Sequence, residues 1–264
     1  MAEKKYELTD ETIEVNGHTL HRIRALRDIG DVKEGDLGGF IEKENNLSHE
    51  GDCWVADKAF VFENAVVSGD AMVYEEAMVY DNAVVSGEAM IFGIAKVCGD
   101  TGVFGNAKVY EEAMVYGNAK VYDDAEVFGK ANVYGKAEVY GLTEVYEYAH
   151  VYGNAKIYGR ATVCDNARVF DQAEVYGSAE VCGDACVFGK AQVYEDAKVY
   201  GNAKVFGNAE IYDDAKVLGN ALVCGSAEVY GKAIIAGNSE ISKGNVSSGI
   251  INVIERKSYG RKEV

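Results

Sequence analysis

From Val55 to Ile241 the chain carries Val or Ile at every sixth position, thirty-two times without a skip. Through Ile235, each of these is followed four residues later by a small side chain. That residue is Ala59, Ala65, Ala71 and onward, relaxed only to Thr101, Thr143 and Ser239. A 3.6-residue helical pattern would drift out of phase within two such units. Simple strand alternation would not need a turn residue at every sixth position. A fixed six-residue period predicts a parallel β-helix, a coil stacked on itself.

The unit Val115-Tyr116-Gly117-Asn118-Ala119-Lys120 shows how one hexad works. Alternation points Val115 inward and Tyr116 outward. Gly117-Asn118 turns the corner, since Gly and Asn tolerate the left-handed backbone region. Ala119 points inward where only a small group fits, and Lys120 points out. The first corner residue is Gly in roughly two thirds of hexads and Asp or Glu in the rest, as at Glu111, Asp123 and Glu147. Asn or Asp often follows it, as at Asn106, Asn154, Asn202 and Asp214.

This order of aliphatic, outward, corner and small residues resembles the hexapeptide-repeat, bacterial-transferase-like proteins. The resemblance spans about 190 residues of repeat. It implies an all-β, single-stranded left-handed parallel β-helix, a three-faced solenoid with eighteen residues per turn. The resemblance thereby implies ten to eleven coils, and at about 4.8 Å per strand layer the rod would be roughly 50 Å long. The chain departs from the family at the second position, where Tyr, Phe or Cys stands in place of Gly, Ala, Asp or Glu. Residues eighteen apart then stack in three aromatic rows. One runs Phe104, Tyr122, Tyr140, Tyr158, Tyr176, Tyr194, Tyr212, Tyr230; a second runs Tyr116, Tyr134, Tyr152, Phe170, Phe188, Phe206. The third runs Tyr74, Phe92, Tyr110, Phe128, Tyr146, then Cys164, Cys182 and Tyr200. Such rows serve either as stabilising stacks or as a recognition surface for a partner or a second copy.

The organisation expected is an N-terminal cap at 1–54, the coil at 55–242 and a C-terminal cap or tail at 243–264. Ile13 to Leu20 reads as a hairpin around Asn16-Gly17, and 23–29 is a second short apolar stretch. The leader, in Asp31 to Gly39 and Leu47 to Trp54, resembles that of the YdcK-like group of hexapeptide-repeat proteins, a group assigned to the transferases. In the first coils the second outward position is apolar six times running: Phe60, Val66, Met72, Met78, Val84 and Met90. Either the cap folds over these residues or another subunit covers them. Leu218, Leu222, Ile234 and Ala236 hint at a similar patch, and 250–254 closes the rod as a strand or short helix. The tail, with Lys243, Arg256, Lys257, Arg261 and Lys262, reads as a solvated end.

A net charge of −17 argues against direct nucleic-acid binding and against anionic membrane surfaces. The six cysteines follow no metal-ligand or disulfide-framework spacing. Cys164 and Cys182 would lie one layer apart, and a reduced pair is expected in a cytoplasmic chain lacking an apolar leader. No metal and no cofactor are expected.

Three functions remain. The first is a non-catalytic scaffold or binding rod, self-associating as a homodimer or homotrimer or holding a protein partner. The second is what the family resemblance implies: an acyltransferase with an acyl-CoA or acyl-carrier donor and a His general base. His150 is the in-coil candidate, although a neutral substitution on a solvated face explains it as well; His18, His21 and His49 lie in the cap. The third is an acidic nucleic-acid mimic built on corner pairs such as Glu75-Glu76, Glu111-Glu112 and Asp213-Asp214, with interleaved lysines counting against it.

Overall fold

The computed structural model describes residues 4–253. Each hexad contributes one short strand, such as Met114–Val115, in which Val115 is fully buried and Met114 half-buried. Strands pair in parallel with the strands eighteen residues away, so that Lys96, Met114 and Asn132 stand in line. Three strands therefore complete a turn, and the chain climbs one layer per turn. The link between layers is the main chain: Lys120 N–H donates to Ala137 O at 2.9 Å and Tyr122's neighbours repeat the pattern throughout. Among the described residues there is no α-helix, only a 3-10 turn at Glu44–Asn46.

One face is a sheet of 12 strands, and the solenoid makes about twelve turns. The period alone gave ten to eleven. Residues outside the strict period supply the difference, because Phe40–Ile41 pair in parallel with Phe60–Val61 at one end. At the other end, Ile250–Val253 pair with Ile234–Gly237, closing the described coil with a strand. Ile254 and the basic residues from Arg256 onward lie outside the described residues.

The shaft is thin, and its filling explains the pattern. The Val or Ile of each hexad and the Ala four residues on are fully buried from Val55 through Ile235, forming one continuous core. The Tyr and Phe of the repeats remain outside this shaft, most of them partly exposed, while Phe62 is buried beside Leu20 and Phe40. Thr101 and Thr143 replace Ala in it, and each leaves a buried hydroxyl without a hydrogen-bond partner. Ser239 avoids that cost by donating to Ala236 O at 2.6 Å and accepting from Val253 N at 3.1 Å.

The corners divide their work differently from the expected Gly-Asn sharing. Only the first corner residue takes positive φ, for example Gly117 at 79°. A Cβ there would meet the next layer's Gly135 N at 3.0 Å. Where Asp or Glu stands instead, φ falls between 54° and 60°. The carboxylate then accepts the corner N–H of the next layer: Glu111 from Gly129 at 2.9 Å, Asp213 from Gly231 at 2.9 Å. Carboxylates are tolerated in this strained region because they satisfy an otherwise unpaired donor. The second corner residue keeps ordinary φ and forms amide ladders, as in Asn64–Asn82–Asp100 and Asn202–Asn220–Asn238.

At the N-terminus, β1 (Tyr6–Val15) and β2 (His18–Ala25) form the expected hairpin, with Asn16 and Gly17 at φ 52° and 86°. This is the turn that matches strand twist. β3 (Leu37–Ile41) pairs antiparallel with β2 and parallel with Phe60–Val61, so it converts the cap into the coil. Ile23 and Ile29, from the second apolar stretch, are buried in the core. Asn46 finishes the edge: its amide donates to Glu63 O at 3.0 Å and Ala65 O at 2.8 Å, where a further strand would otherwise bond.

The shaft width sets a test. Ala155→Leu should cost about 1–3 kcal/mol through overpacking. Lys156→Ala, on the exposed neighbour, should stay within about 0.5 kcal/mol. Denaturant midpoints followed by circular dichroism compare the two.

Candidate interaction surface

Because every layer repeats at one height, side chains of like position are held over one another along the rod. The second face carries Tyr122, Tyr140, Tyr158, Tyr176, Tyr194, Tyr212 and Tyr230, with ring centroids 4.7–5.1 Å apart and planes within 5° of parallel. The first face stacks Tyr116, Tyr134, Tyr152, Phe170, Phe188 and Phe206 at 4.8–4.9 Å. The third stacks Tyr74, Phe92, Tyr110, Phe128 and Tyr146 at 4.8–4.9 Å. These spacings fall in the offset-stacked range, so each ring contributes contact energy as well as area.

One expected member departs. The Phe104 ring lies over Gly102, close enough that a Cβ there would sit 2.2 Å from Cζ. Gly102 is the only glycine at an outward strand position in the described coil, and it opens the space the ring occupies.

Several phenols of the second and third faces are bonded within their own faces. Tyr158 donates to Glu174 at 3.1 Å, Tyr176 to Gln192 at 3.1 Å and Tyr194 to Glu210 at 3.2 Å, each acceptor being one layer on. On the third face Tyr110 donates to Glu126 at 3.0 Å, and Tyr200 donates to Glu180. Burial, with help from neighbouring carboxylates such as Glu138, pushes the Tyr122 phenol up to about 12. The ladders therefore stay protonated and neutral across the physiological range.

The six apolar positions of the first coils do not form one patch. Phe60 and Met78 share the first face, Val66 and Val84 the second, and Met72 and Met90 the third. The cap reaches the first face: Leu20 and Phe40 pack with Phe60, Phe62, Met78 and Tyr80, and the Phe40 and Phe60 rings are 5.9 Å apart. Met72 packs against the main core beside Trp54. Val84 is exposed at 37%.

His150 stands on the first face between Asn132 and Arg168, with its ring edge-on to Tyr134 at 6.3 Å. Burial, then the Arg168 charge, holds its pKa below the ordinary histidine value. Among the described residues no carboxylate hydrogen-bonds its ring. The cap histidines are placed differently. His18 Nδ1 lies 3.1 Å from Glu42 and Nε2 3.3 Å from Glu63, while His49 stacks on Tyr6 at 4.5 Å. His21 Nδ1 meets Thr9 O at 3.2 Å.

Cys164 and Cys182 are joined by a disulfide, correcting the expectation of a reduced pair. The parallel register brings their Cα atoms to 4.7 Å, well inside disulfide reach. Asp165 is the third member of this group, its carboxylate accepting from Gly183 N at 2.9 Å. Corner acids and outward lysines meet in shallow depressions, such as the one lined by Asp196, Lys198, Asp214, Lys216 and Lys232. Among the described residues, no helix is long and apolar enough to cross a membrane.

No family model matches the chain. A curated relative is the uncharacterized acetyltransferase YdcK of Escherichia coli (strain K12), 45% identical over 51 residues. That stretch is 19% of this chain and 16% of the relative, so the similarity is partial. The β-solenoid is consistent with the hexapeptide-repeat transferases.

His18 ties the hairpin to the first coil, since Glu42 also accepts Glu63 N–H at 2.6 Å. The hydrogen bond that the His18 ring donates to Glu42 raises the His18 pKa in the folded state. The cap stabilisation from this contact is therefore complete below the unfolded histidine value and lost as pH rises through the folded one. Hydrogen-exchange protection of β2, taken relative to the intrinsic exchange rate, should fall as pH rises above the ordinary histidine value in the native chain, and that fall should be absent in His18→Gln.

Proposed function

We propose that this protein is a non-catalytic scaffold whose aromatic-edged faces bind a protein partner or a second copy of the chain. The observation that carries this reading is the run of three stacked ladders on a rod whose coil has no protruding loop among the described residues from Trp54 to Ile235. Ring stacking on all three faces, with phenol hydrogen bonds on the second and third, orders the outward side chains before any contact forms. Binding to such a surface costs little ordering entropy. Aromatic residues are also the type enriched at interface cores. Mixed charge surrounds them: Lys108 pairs with Glu126 at 2.8 Å and Lys198 with Glu180 at 2.7 Å. That interleaving supports a protein contact over a continuous nucleic-acid mimic.

A second reading is acyl transfer, favoured by the partial match to YdcK. It would use an acyl-CoA or acyl-carrier thioester, with His150 as the base. Its burial keeps the imidazole neutral at pH 7, the form a base requires.

Light scattering after size exclusion tests the scaffold. A dimer or trimer that falls apart in Tyr158→Lys/Tyr194→Lys, with circular dichroism unchanged, is the expected outcome. A strict monomer that also retains no partner from lysate overturns it. For the second reading, thiol release from acetyl-CoA that disappears in His150→Ala would establish acyl transfer.

A further inference from the structure

We propose that Lys5 and Cys53 form an oxidation-dependent covalent cross-link, a sulfenamide that fastens the N-terminal strand to the base of the coil. Both residues are fully buried. Lys5 Nζ lies 3.1 Å from Cys53 Sγ, with Cys53 O at 2.8 Å and Gly51 O at 3.2 Å as its other partners. Among the described residues no carboxylate reaches this ammonium. Besides Lys5, the Cys53 thiol faces the carbonyls of Ser48 at 3.6 Å, Val67 at 3.6 Å and Glu50 at 3.8 Å. An amine and a thiol are thus held in contact, sequestered from competing nucleophiles.

The chemistry needs hydrogen peroxide as the two-electron oxidant. Cys53 sulfur attacks one peroxide oxygen, giving a sulfenic acid and one water. Lys5 nitrogen then loses a proton and its lone pair attacks the sulfenyl sulfur. The S–N bond forms as the S–O bond breaks, and the hydroxide leaves as water with a second nitrogen proton. Sulfur is oxidised by two electrons and peroxide is reduced to two waters.

Access is through the turn at 50–52, whose residues are exposed directly above the buried Cys53. Burial raises the thiol pKa while Lys5 opposes that rise, so the reaction should be slow and limited by opening of this turn. Its effect is architectural. The Tyr6 hydroxyl, whose one proton is shared between Glu44 O and Leu47 O at 2.9 Å each, already holds the same strand against the coil end. The cross-link would make that closure permanent until reduced.

The test uses the full chain carrying Cys164→Ser and Cys182→Ser, so that the ladder disulfide does not contribute. After hydrogen peroxide treatment, peptide mapping should find Lys5 joined to Cys53, lighter by about two mass units than the separate peptides and released by dithiothreitol. Lys5→Arg keeps the charge but removes the competent amine, and should yield Cys53 sulfinic acid with no cross-link. Recovery of Cys53 from the peroxide-treated parent as free thiol, or as sulfinic acid with Lys5 unmodified, overturns the proposal. Neither result bears on the scaffold reading, which the solution mass decides separately.

Discussion

Everything in this rod descends from the hydrogen bonds that run between layers rather than within a strand. Because the outward residues of each hexad bond through N–H to carbonyls seventeen residues later, as Lys120 does to Ala137, every residue must sit over its counterpart in the neighbouring turn. Layer height is then fixed near 4.8 Å, and side chains have no freedom to stagger. Inside, only β-branched and small groups fill so narrow a triangle. Outside, rings at like positions are brought into stacking distance, and corner carboxylates fall within reach of the N–H of the next layer. The same constraint produces the core, the ladders and the corner bonds.

That constraint also explains which features the sequence displayed. Anything local to a hexad was visible: Val115 in, Tyr116 out, a left-handed residue at Gly117, a small group at Ala119. The ladders required only the further step of eighteen residues per turn. Contacts that break the period were not legible. Nothing in the spacing of Lys5 and Cys53, or of His18, Glu42 and Glu63, marks them as neighbours, because the cap folds back over distances with no repeat to count. The Cys164–Cys182 pair was placed correctly, one layer apart; the oxidation state was not, since a period sets proximity and says nothing of redox chemistry. Phe104 shows the converse case. Its ring position follows from Gly102 beside it, a local vacancy that a row of like positions conceals.

The apolar outward residues of the early coils show how topology changes the meaning of a run. Read along the chain, Phe60 to Met90 form one hydrophobic stretch. Wrapped three to a turn, they become three pairs facing in different directions. A single cap cannot cover all three, and the hairpin covers chiefly the first, through Leu20 and Phe40. The second face keeps Val84 exposed at the point where serines, Ser68 and Ser86, take the ladder position. The tyrosines of that face begin two layers later.

The two ends are solved by different physics. A stacked coil ends with a row of unpaired carbonyls or N–H groups, and each is a site for unwanted pairing. At the N-terminal end donors are brought in from side chains: the Asn46 amide to Glu63 and Ala65, and the Lys5 ammonium to Gly51 and Cys53. Burying an ammonium is costly unless it is well bonded, so three acceptors around Lys5 are the least such a position requires. At the other end the strands lengthen instead, Leu222–Val229 and Glu240–Val246 running across corners that are turns elsewhere. Longer strands bond more main-chain groups to the layer below, which steadies the last of the described coils. The charged Lys243 within Glu240–Val246 then discourages a further strand from adding to that edge.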